Sequence, residues 1–213
     1  MSVRHVFLVD DHPLVRRGLG ELLSTEEGIE VCGEAESVAE AMETFDPDGC
    51  DLAIVDLSLG GPDGLELIKR LRQCWPEVPV LVYSMHDESI YAQRALAAGA
   101  RGYLGKQEPP DCVLEAVRRV LSGEIYLSPE MAQRLEAGSG DNVNGHPVEQ
   151  LSDRELEVFG LLGRAHGTRQ IAERLKLSHK TIESHRENIK RKLGLRNHNE
   201  LMRRAVLWVQ ENR

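Results

Sequence analysis

The chain has 213 residues, 41% of them hydrophobic and 29% charged, which is ordinary for one large or two small folded domains with buried cores. No apolar run approaches the roughly 20 residues that span a bilayer, and the first residues lack a signal-peptide hydrophobic region, so we expect a cytoplasmic protein without membrane contact. The formal net charge of −9 disfavours non-specific binding of the whole chain to polyanions.

The first 125 residues alternate apolar, strand-like segments with amphipathic, helix-like ones. Strands are predicted at 6–9, 30–34, 52–55, 78–82 and 100–104, and helices at 14–23, 38–45, 65–74, 90–98 and 113–121. Strands that are apolar throughout are covered on both faces, as in parallel sheets. The pattern predicts an α/β fold with a doubly wound, five-stranded parallel sheet of the flavodoxin type.

Polar and charged side chains follow these strands at their carboxyl ends, which meet at one edge of such a sheet. Asp10 and Asp11 follow the first strand, Asp56 follows the third, Ser84 follows the fourth, and Lys106 follows the fifth. Three carboxylates close together need a hard cation, and Mg²⁺ is the expected cofactor. Asp56 can then attack a phosphoryl group, while Mg²⁺ and Lys106 neutralise charge on the phosphoryl oxygens and Ser84 donates a hydrogen bond.

The four cysteines, Cys32, Cys50, Cys74 and Cys112, show neither a C-x-x-C pair nor the spacing of metal ligands. We expect them to be reduced thiols in buried or half-buried positions, as is usual in the cytosol.

After the predicted sheet, the sequence indicates a short helix, then a linker, and then a second group of helices. A short helix is predicted at 129–136, and residues 137–147, rich in Gly and Asn, are expected to form a flexible linker. Helices are then predicted near 153–164, 168–175, 179–193 and 198–210. These patterns predict three parts: a phosphoacceptor domain at 1–125, a short helix and linker at 126–149, and a small all-α domain at 150–213.

Residues 168–193 have the pattern of a helix-turn-helix. Ile182, Ile189 and Leu193 give the second helix a buried stripe and leave a polar face. From residue 150 onward there are 14 Lys and Arg against 8 Asp and Glu, or +6, which leaves 12 against 27, or −15, in residues 1–149. A basic helix of this kind fits the major groove of duplex DNA, and 4% aromatic residues argue against single-stranded nucleic acid.

The N-terminal part resembles the receiver domain of two-component response regulators over roughly residues 4–122. The matching segments are 9–13, 55–57, 63–66, 84–87 and 99–106. The resemblance implies that Asp56 accepts phosphate from a sensor histidine kinase, with Lys106 as counter-ion and Ser84 and Tyr103 as the switch pair. It also implies that Mg²⁺ is bound by Asp11, Asp56 and the backbone carbonyl of Ser58, with Asp10 assisting through water. Gly60 departs from the family, which commonly has Pro four residues after the phosphorylated Asp, and the glycines at 60 and 61 should loosen this loop.

Residues 150–210 are similar to the LuxR-type DNA-binding domain of the NarL/FixJ family, through segments 151–158, 171–175, 178–185 and 188–194. By position, Glu183, Ser184 and Glu187 would face bases, and Lys180, Thr181, His185, Arg186 and Lys190 would face the DNA backbone. The resemblance implies a homodimer on DNA and makes RNA polymerase a further candidate partner. Two departures are visible: Ala165 replaces a common glycine, and Lys176 occupies a turn position where helix-turn-helix motifs favour glycine.

Together these features predict a two-state switch controlling transcription, in which phosphorylation draws Ser84 toward the phosphate, Tyr103 turns inward, and the basic domains are released or paired. The only enzymatic chemistry expected is self-directed, Mg²⁺-dependent phosphoryl transfer to Asp56 and its hydrolysis. Two alternatives stay open. One is a phosphatase with an aspartyl-phosphate intermediate, although such enzymes usually have an acid where Ser58 stands. The other is a vestigial receiver whose DNA binding is governed by partners.

Overall fold

The computed structural model describes residues 3–59, 64–138, 147–175 and 177–211. The chain divides into two compact units, one ending at Glu136 and one beginning at Ala137. The glycine loop at 60–61, most of the predicted linker and Lys176 lie outside the described residues. The domain limits given above stay predictions.

The first unit is a parallel sheet flanked by helices, which confirms the predicted fold class. Its strands are β1 (Arg4–Val9), β2 (Ile29–Ala35), β3 (Leu52–Val55), β4 (Val80–Ser84) and β5 (Gly102–Gly105), in the order β2-β1-β3-β4-β5. Its helices are α1 (Pro13–Leu23), α2 (Val38–Thr44), α3 (Gly64–Cys74), α4 (Glu88–Ala98), α5 (Pro110–Leu121) and α6 (Pro129–Gly138), of which the last two residues fall past the boundary at Glu136. The fourth strand was predicted from residue 78 and the fifth from residue 100, and both begin two residues later.

The core of this unit explains why its central strands are apolar throughout. Val6, Leu8, Leu52 and Ile54 lie in one cluster with residues of α1 and α5, which cover one face of the sheet. The intervening strand residues, such as Val55, are equally buried on the opposite face. Every position of β3 is therefore shielded from water, and the polar residues that follow the strands stand out as the exception.

Tyr126 covers the outer edge of β5. Its backbone N–H donates to the carbonyl of Arg101 (3.0 Å), and its carbonyl accepts from the N–H of Tyr103 (2.9 Å), so that it forms a parallel bridge with Gly102. The Tyr126 side chain is buried in the core. The first unit therefore uses residues beyond α5 to complete its sheet.

The second unit is helical in its described part. It consists of a 3-10 helix (Pro147–Gln150) and the helices α7 (Asp153–Gly163), α8 (Thr168–Arg174), α9 (His179–Leu193) and α10 (His198–Glu211). Ser152 and Glu155 form a capping box at the start of α7, and Ser178 caps α9. The predicted linker is corrected at both ends, because residues 137 and 138 belong to α6 and residue 147 begins the 3-10 helix.

Two backbone features shape the second unit. Gly163 packs against α10 so closely that an added Cβ would overlap the Ala205 carbonyl. Ala165, after α7, has a φ of 63°, in the left-handed region that favours glycine. The departure noted at Ala165 therefore places an alanine where the backbone suits a glycine.

The expectations about membrane-spanning helices and about the cysteines can also be compared with the described residues. Among these residues no helix is both long and apolar enough to cross a bilayer. All four cysteines are free thiols, but Cys32 and Cys74 are exposed, so the expectation that every cysteine is buried or half-buried is wrong for these two.

Candidate functional site: an acidic pocket and a helix-turn-helix

The carboxyl ends of the strands bring the predicted acidic residues together. Asp10 and Asp11 follow β1, Asp56 follows β3, Ser84 ends β4, and Lys106 follows β5. Lys106 Nζ lies 2.5 Å from Asp10 Oδ2 and 2.8 Å from Asp56 Oδ2. Asp10, Asp56 and Ser84 are almost completely buried. The residues therefore meet at one edge of the sheet, while the roles assigned to them stay predictions.

The electrostatics of this pocket leave it short of positive charge. Burial by itself lowers the pKa of the Lys106 ammonium, but the neighbouring Asp56 and Asp10 outweigh burial and raise that pKa. Lys106 therefore remains charged at neutral pH, and its ammonium contacts Asp10 and Asp56 but makes no recorded contact with Asp11, which lies beside them. A further cation would relieve the remaining repulsion.

The donor set of the pocket fits a hard divalent metal ion. Asp10, Asp11, His12 and Asp56 each offer a ligand atom, and these atoms lie within 4.8 Å of one another. Asp56 Oδ1 is buried and accepts no hydrogen bond from the described residues. Carboxylate oxygens that lack protein partners are the ligands that Mg²⁺ prefers.

Two basic residues at this site were missed by the sequence reasoning. His12 Nδ1 lies 2.7 Å from Asp11 Oδ1 and 3.3 Å from Asp10 Oδ1. Arg16 donates to the backbone carbonyl of Asp10 (2.5 Å) and to Glu34 Oε2 (3.1 Å). The signal was present, because His12 directly precedes α1 and Arg16 lies in its first turns, and α1 itself follows an acidic pair.

The predicted switch residues lie around His86. The Tyr103 hydroxyl donates to the His86 carbonyl (2.9 Å), the His86 N–H donates to Ser84 Oγ (3.3 Å), and the His86 ring is hydrogen-bonded to Ser58 Oγ (3.0 Å). Tyr103 is completely buried, and this burial raises its pKa well above the ordinary value. Tyr103 therefore already occupies the inward position that the switch hypothesis assigns to the phosphorylated form.

Gly64, the first residue of α3, holds the backbone beside Asp56. A Cβ at Gly64 would overlap the Asp56 carbonyl oxygen and the Leu57 Cα. The Gly64 N–H also donates to the Leu57 carbonyl (3.2 Å). Only glycine allows α3 to begin this close to the end of β3.

In the second unit, α8 and α9 form the predicted helix-turn-helix. Ile171 and Ala172 of α8 are buried, and so are Ile182 and Ile189 of α9, as predicted. Leu193, predicted to complete the buried stripe of α9, is only half-buried, because it lies at the last residue of the helix. Of the eight predicted DNA-facing residues, Lys180, Ser184 and Glu187 are exposed, and Thr181, Glu183, His185, Arg186 and Lys190 are half-buried. The polar face of α9 is therefore only partly open to solvent.

Several of these half-buried residues are held by partners within the unit. Glu183 Oε1 accepts from Arg186 (2.8 Å) and from the Thr168 hydroxyl (3.1 Å), and Arg186 also contacts Thr168 and His198. Lys190 and Glu187 form a second ion pair at 2.8 Å. The two carboxylates predicted to face bases are thus each paired with a cation predicted to face phosphates.

His185 lies beside α7, close to Arg154 and to the carboxylates of Glu155 and Glu157. Burial is the main cause that lowers the pKa of its imidazole. His185 is therefore largely neutral at neutral pH, which weakens the predicted contribution of this residue to phosphate binding.

A parallel sheet with an acidic, lysine-bridged pocket, followed by a helix-turn-helix unit, is the arrangement of a two-component response regulator. Residues 6–118 match the response regulator receiver domain, and residues 149–205 match the bacterial regulatory proteins of the luxR family. The transcriptional activator protein ExaE of Pseudomonas putida is 39% identical over 205 residues, which cover 94% of this chain and 95% of ExaE. The oxygen regulatory protein NreC of Staphylococcus carnosus is 33% identical over 208 residues, covering 94% and 96%.

Among solved structures, RcsB of Salmonella enterica serovar Typhimurium, bound to promoter rprA with the phosphomimetic BeF3−, superposes with a TM-score of 0.63. It is 27% identical and covers 95% of this chain and 98% of its own. The chain belongs to the NarL/FixJ family of response regulators, with a receiver domain and a LuxR-type DNA-binding domain. It is a transcription regulator of a two-component system rather than a classical enzyme.

Proposed function

We propose that Asp56 is the phosphoacceptor and that its phosphorylation controls binding of duplex DNA by α9. The observation that carries this proposal is the buried Lys106 ammonium, which bridges Asp10 and Asp56 across the strand ends. The proposed donor is the phosphohistidine of a sensor kinase, which a receiver domain implies.

In the proposed transfer, a carboxylate oxygen of Asp56 attacks the phosphorus atom. A bond from this oxygen to phosphorus forms, the bond from phosphorus to the kinase imidazole nitrogen breaks, and the electron pair leaves with the imidazole. Lys106 stays protonated and stabilises the charge on the phosphoryl oxygens. Ser84, at the end of β4, supplies a hydroxyl for the new phosphate. Hydrolysis of the acyl phosphate later restores Asp56.

Receiver domains generally bind Mg²⁺ in an acidic pocket, and the donors present here fit that ion. We assign Asp11, Asp56 and the backbone carbonyl of Ser58 as its ligands, with Asp10 acting through water. Bound Mg²⁺ supplies charge neutralisation for the incoming phosphoryl group.

For DNA binding, we assign Glu183, Ser184 and Glu187 to base edges and Lys180, Thr181, His185, Arg186 and Lys190 to the backbone. RcsB was solved on promoter DNA, and another structure is described as two RcsB dimers on two parallel DNAs. By analogy, we propose that this chain binds DNA as a homodimer, in the cytoplasm. RNA polymerase is proposed as a downstream partner only because ExaE is named a transcriptional activator.

Incubation with acetyl phosphate and Mg²⁺, followed by mass spectrometry, tests whether Asp56 is the phosphoacceptor. One phosphoryl group on Asp56, absent from the Asp56→Ala variant, is expected, and labelling elsewhere overturns the assignment. A titration of duplex DNA with and without BeF3− tests whether phosphorylation controls DNA binding. Equal affinity and equal oligomeric state in both conditions would favour a vestigial receiver, and steady turnover of a phosphate ester would favour the phosphatase.

A further inference from the structure

Arg16, the fourth residue of α1, carries its charge close to the amino-terminal end of the helix. The partial positive charge of a helix N-terminus repels a cation there, and the first turn of α1 contains no acidic residue to compensate. The Arg16 side chain is nevertheless only 14% exposed, whereas that of Arg17 is 80% exposed and pairs with Glu21 on the surface. A cation held in such a place needs partners outside its own helix.

Arg16 has two partners outside α1. Its Nη1 donates to the backbone carbonyl of Asp10 (2.5 Å), and its Nε donates to Glu34 Oε2 (3.1 Å). Glu34 lies in β2, which is the neighbour of β1 at the edge of the sheet. Arg16 therefore ties the chain at the end of β1 to the edge strand.

The contact with Glu34 depends on an irregularity in β2. The ladder between β1 and β2 skips Cys32, which forms a bulge and has no partner in β1. Beyond this bulge Glu34 is paired with Leu8, whose side chain lies in the cluster formed with α1 and α5. Paired residues share a face of the sheet, so an unbroken register would place Glu34 opposite Val9, on the face away from α1. The bulge therefore turns Glu34 toward α1.

The carbonyl held by Arg16 belongs to the peptide group that joins Asp10 to Asp11. A peptide group is planar, so fixing its carbonyl also fixes the direction of the chain on both sides. The Asp10 carboxylate has further partners, because its Oδ1 accepts from the His12 N–H (2.9 Å) and its Oδ2 contacts Lys106.

The Asp11 carboxylate is held less firmly by side-chain contacts. Asp11 Oδ1 is buried and accepts no hydrogen bond within the described part of the chain, although the His12 imidazole lies 2.7 Å away. The position of this carboxylate therefore rests largely on the backbone that Arg16 holds.

We propose that Arg16 is a positioning residue for Mg²⁺, which orients Asp10 and Asp11 by holding the peptide group between them. The inference deepens the proposed function and rests on its assignment of these two residues to the metal. Replacing a group that holds metal ligands from outside the coordination sphere typically lowers metal affinity by about 10- to 100-fold.

The charge of Arg16 and its positioning role have opposite effects on Mg²⁺ binding. A guanidinium beside the pocket repels a divalent cation, so removing its charge alone should tighten Mg²⁺ binding. Removing its two hydrogen bonds should weaken Mg²⁺ binding, because the peptide group and the Asp11 carboxylate are then free to turn. The sign of the change in affinity therefore separates positioning from electrostatics.

The test measures the Mg²⁺ affinity of the full chain carrying Arg16→Met, which keeps a long side chain but loses the charge and the donors. Mg²⁺ is titrated against Mn²⁺, whose EPR signal is lost from solution when the ion binds the protein. We expect Arg16→Met to bind Mg²⁺ about tenfold more weakly than the parent chain. Arg17→Met, the matched control, removes an exposed charge and should bind Mg²⁺ no more weakly than the parent. An affinity of Arg16→Met equal to or above that of the parent overturns the proposal.

A second variant covers the case in which Arg16→Met does not fold, which circular dichroism would show. Arg16→Lys keeps the charge but lacks the planar fork with which arginine reaches two acceptors. In that case, weaker Mg²⁺ binding by Arg16→Lys than by the parent supports the proposal, and an unchanged affinity overturns it.

Labelling of Asp56 by acetyl phosphate distinguishes this inference from the proposed function. In Arg16→Met the labelling should slow at low Mg²⁺ and recover at saturating Mg²⁺, because Asp56 and Lys106 are unchanged. A parent chain that binds Mg²⁺ without being labelled would refute the phosphoacceptor alone, since the role of Arg16 is judged by metal affinity. A parent chain that binds no Mg²⁺ would overturn both.

Discussion

Lys106 Nζ lies 2.8 Å from Asp56 Oδ2, and both side chains are almost completely buried. Because β4 separates β3 from β5, the lysine reaches across a neighbouring strand to make this contact. The same ammonium also contacts Asp10, so two buried carboxylates depend on one cation. We therefore expect stability and the proposed phosphoryl transfer to be coupled at this residue.

Replacing Lys106 by methionine should reduce both properties. Two buried carboxylates would lose their cation, which should cost about 3–5 kcal/mol of unfolding free energy, and labelling by acetyl phosphate should fall by about 100-fold. Urea unfolding and the rate of mass gain measure the two effects. Adding Asp10→Asn should restore part of the stability but not the labelling. Full stability in the single variant would contradict this account.

Gly64→Ala should impair phosphorylation without removing a charged group. The added Cβ would overlap the Asp56 carbonyl, so the backbone that positions the carboxylate must shift. We expect labelling by acetyl phosphate to slow by at least about tenfold, because small displacements of reacting groups are costly. Gly18→Ala in α1 is the matched control, since a Cβ there meets nothing within 4 Å. Equal labelling in both variants would remove the proposed role of Gly64.

Ala165→Gly should stabilise the second unit. Ala165 has a φ of 63°, and a side chain in the left-handed region costs about 1–2 kcal/mol, part of which is offset by the greater freedom of glycine in the unfolded chain. A net gain of about 0.5–1 kcal/mol is expected by urea unfolding. Ala172→Gly, inside α8, should do the reverse. A loss of stability in Ala165→Gly would show that φ is not the controlling factor.

Glu155 should make the second unit sensitive to acid. Burial raises the pKa of this carboxyl, but hydrogen bonds from Lys192 (2.6 Å) and from the Ser152 N–H (2.8 Å) outweigh burial and lower it. A lowered folded-state pKa stabilises the fold above the unfolded-state value of about 4.3 and stops doing so as the pH falls through the folded-state value.

The corresponding variant is Glu155→Gln, which should lose about 1.5–3 kcal/mol of unfolding free energy at pH 7. The difference from the parent chain should shrink progressively below a pH of about 4. Unfolding in urea at several pH values measures it. A difference that stays constant through the acid range would indicate that the carboxylate charge is not involved.

Glu183→Ala should strengthen non-specific binding of duplex DNA. Removing the carboxylate frees Arg186 for a phosphate, so the salt dependence of binding should steepen by about one counterion. Discrimination between sequences should weaken, because a group assigned to base edges is lost. Glu173→Ala, on the exposed surface of α8, makes the same charge change and serves as the control. If the affinity for DNA depended on salt equally in both variants, the ion pair of Glu183 with Arg186 would not be what holds this cation away from phosphates.

The positions of the strands and of the acidic pocket could be predicted because burial on both faces gives apolar runs that end at polar residues. The start of β4 could not be predicted in this way, since Val78 and Pro79 are apolar although the strand begins only at Val80. Hydrophobicity indicates burial but does not show where the hydrogen-bonded ladder starts.

Individual contacts between side chains were harder to predict than which residues lie in the same region of the fold. The pairing of Glu183 with Thr168 joins two helices, and nothing in the spacing within α9 indicates it. The bulge at Cys32 and the positive φ of Ala165 depend on local backbone geometry that composition does not encode. Ala165 was singled out only because the family commonly has glycine there.

The bridge formed by Tyr126 has a consequence for self-association. An uncovered outer strand offers a row of amide and carbonyl groups to which another molecule can add its own strand. Tyr126 occupies such groups on the outer side of the sheet, at Arg101 and Tyr103. A shortened receiver that stops at α5 would expose them and tend to aggregate, so fragments intended for biophysical work should extend past residue 126.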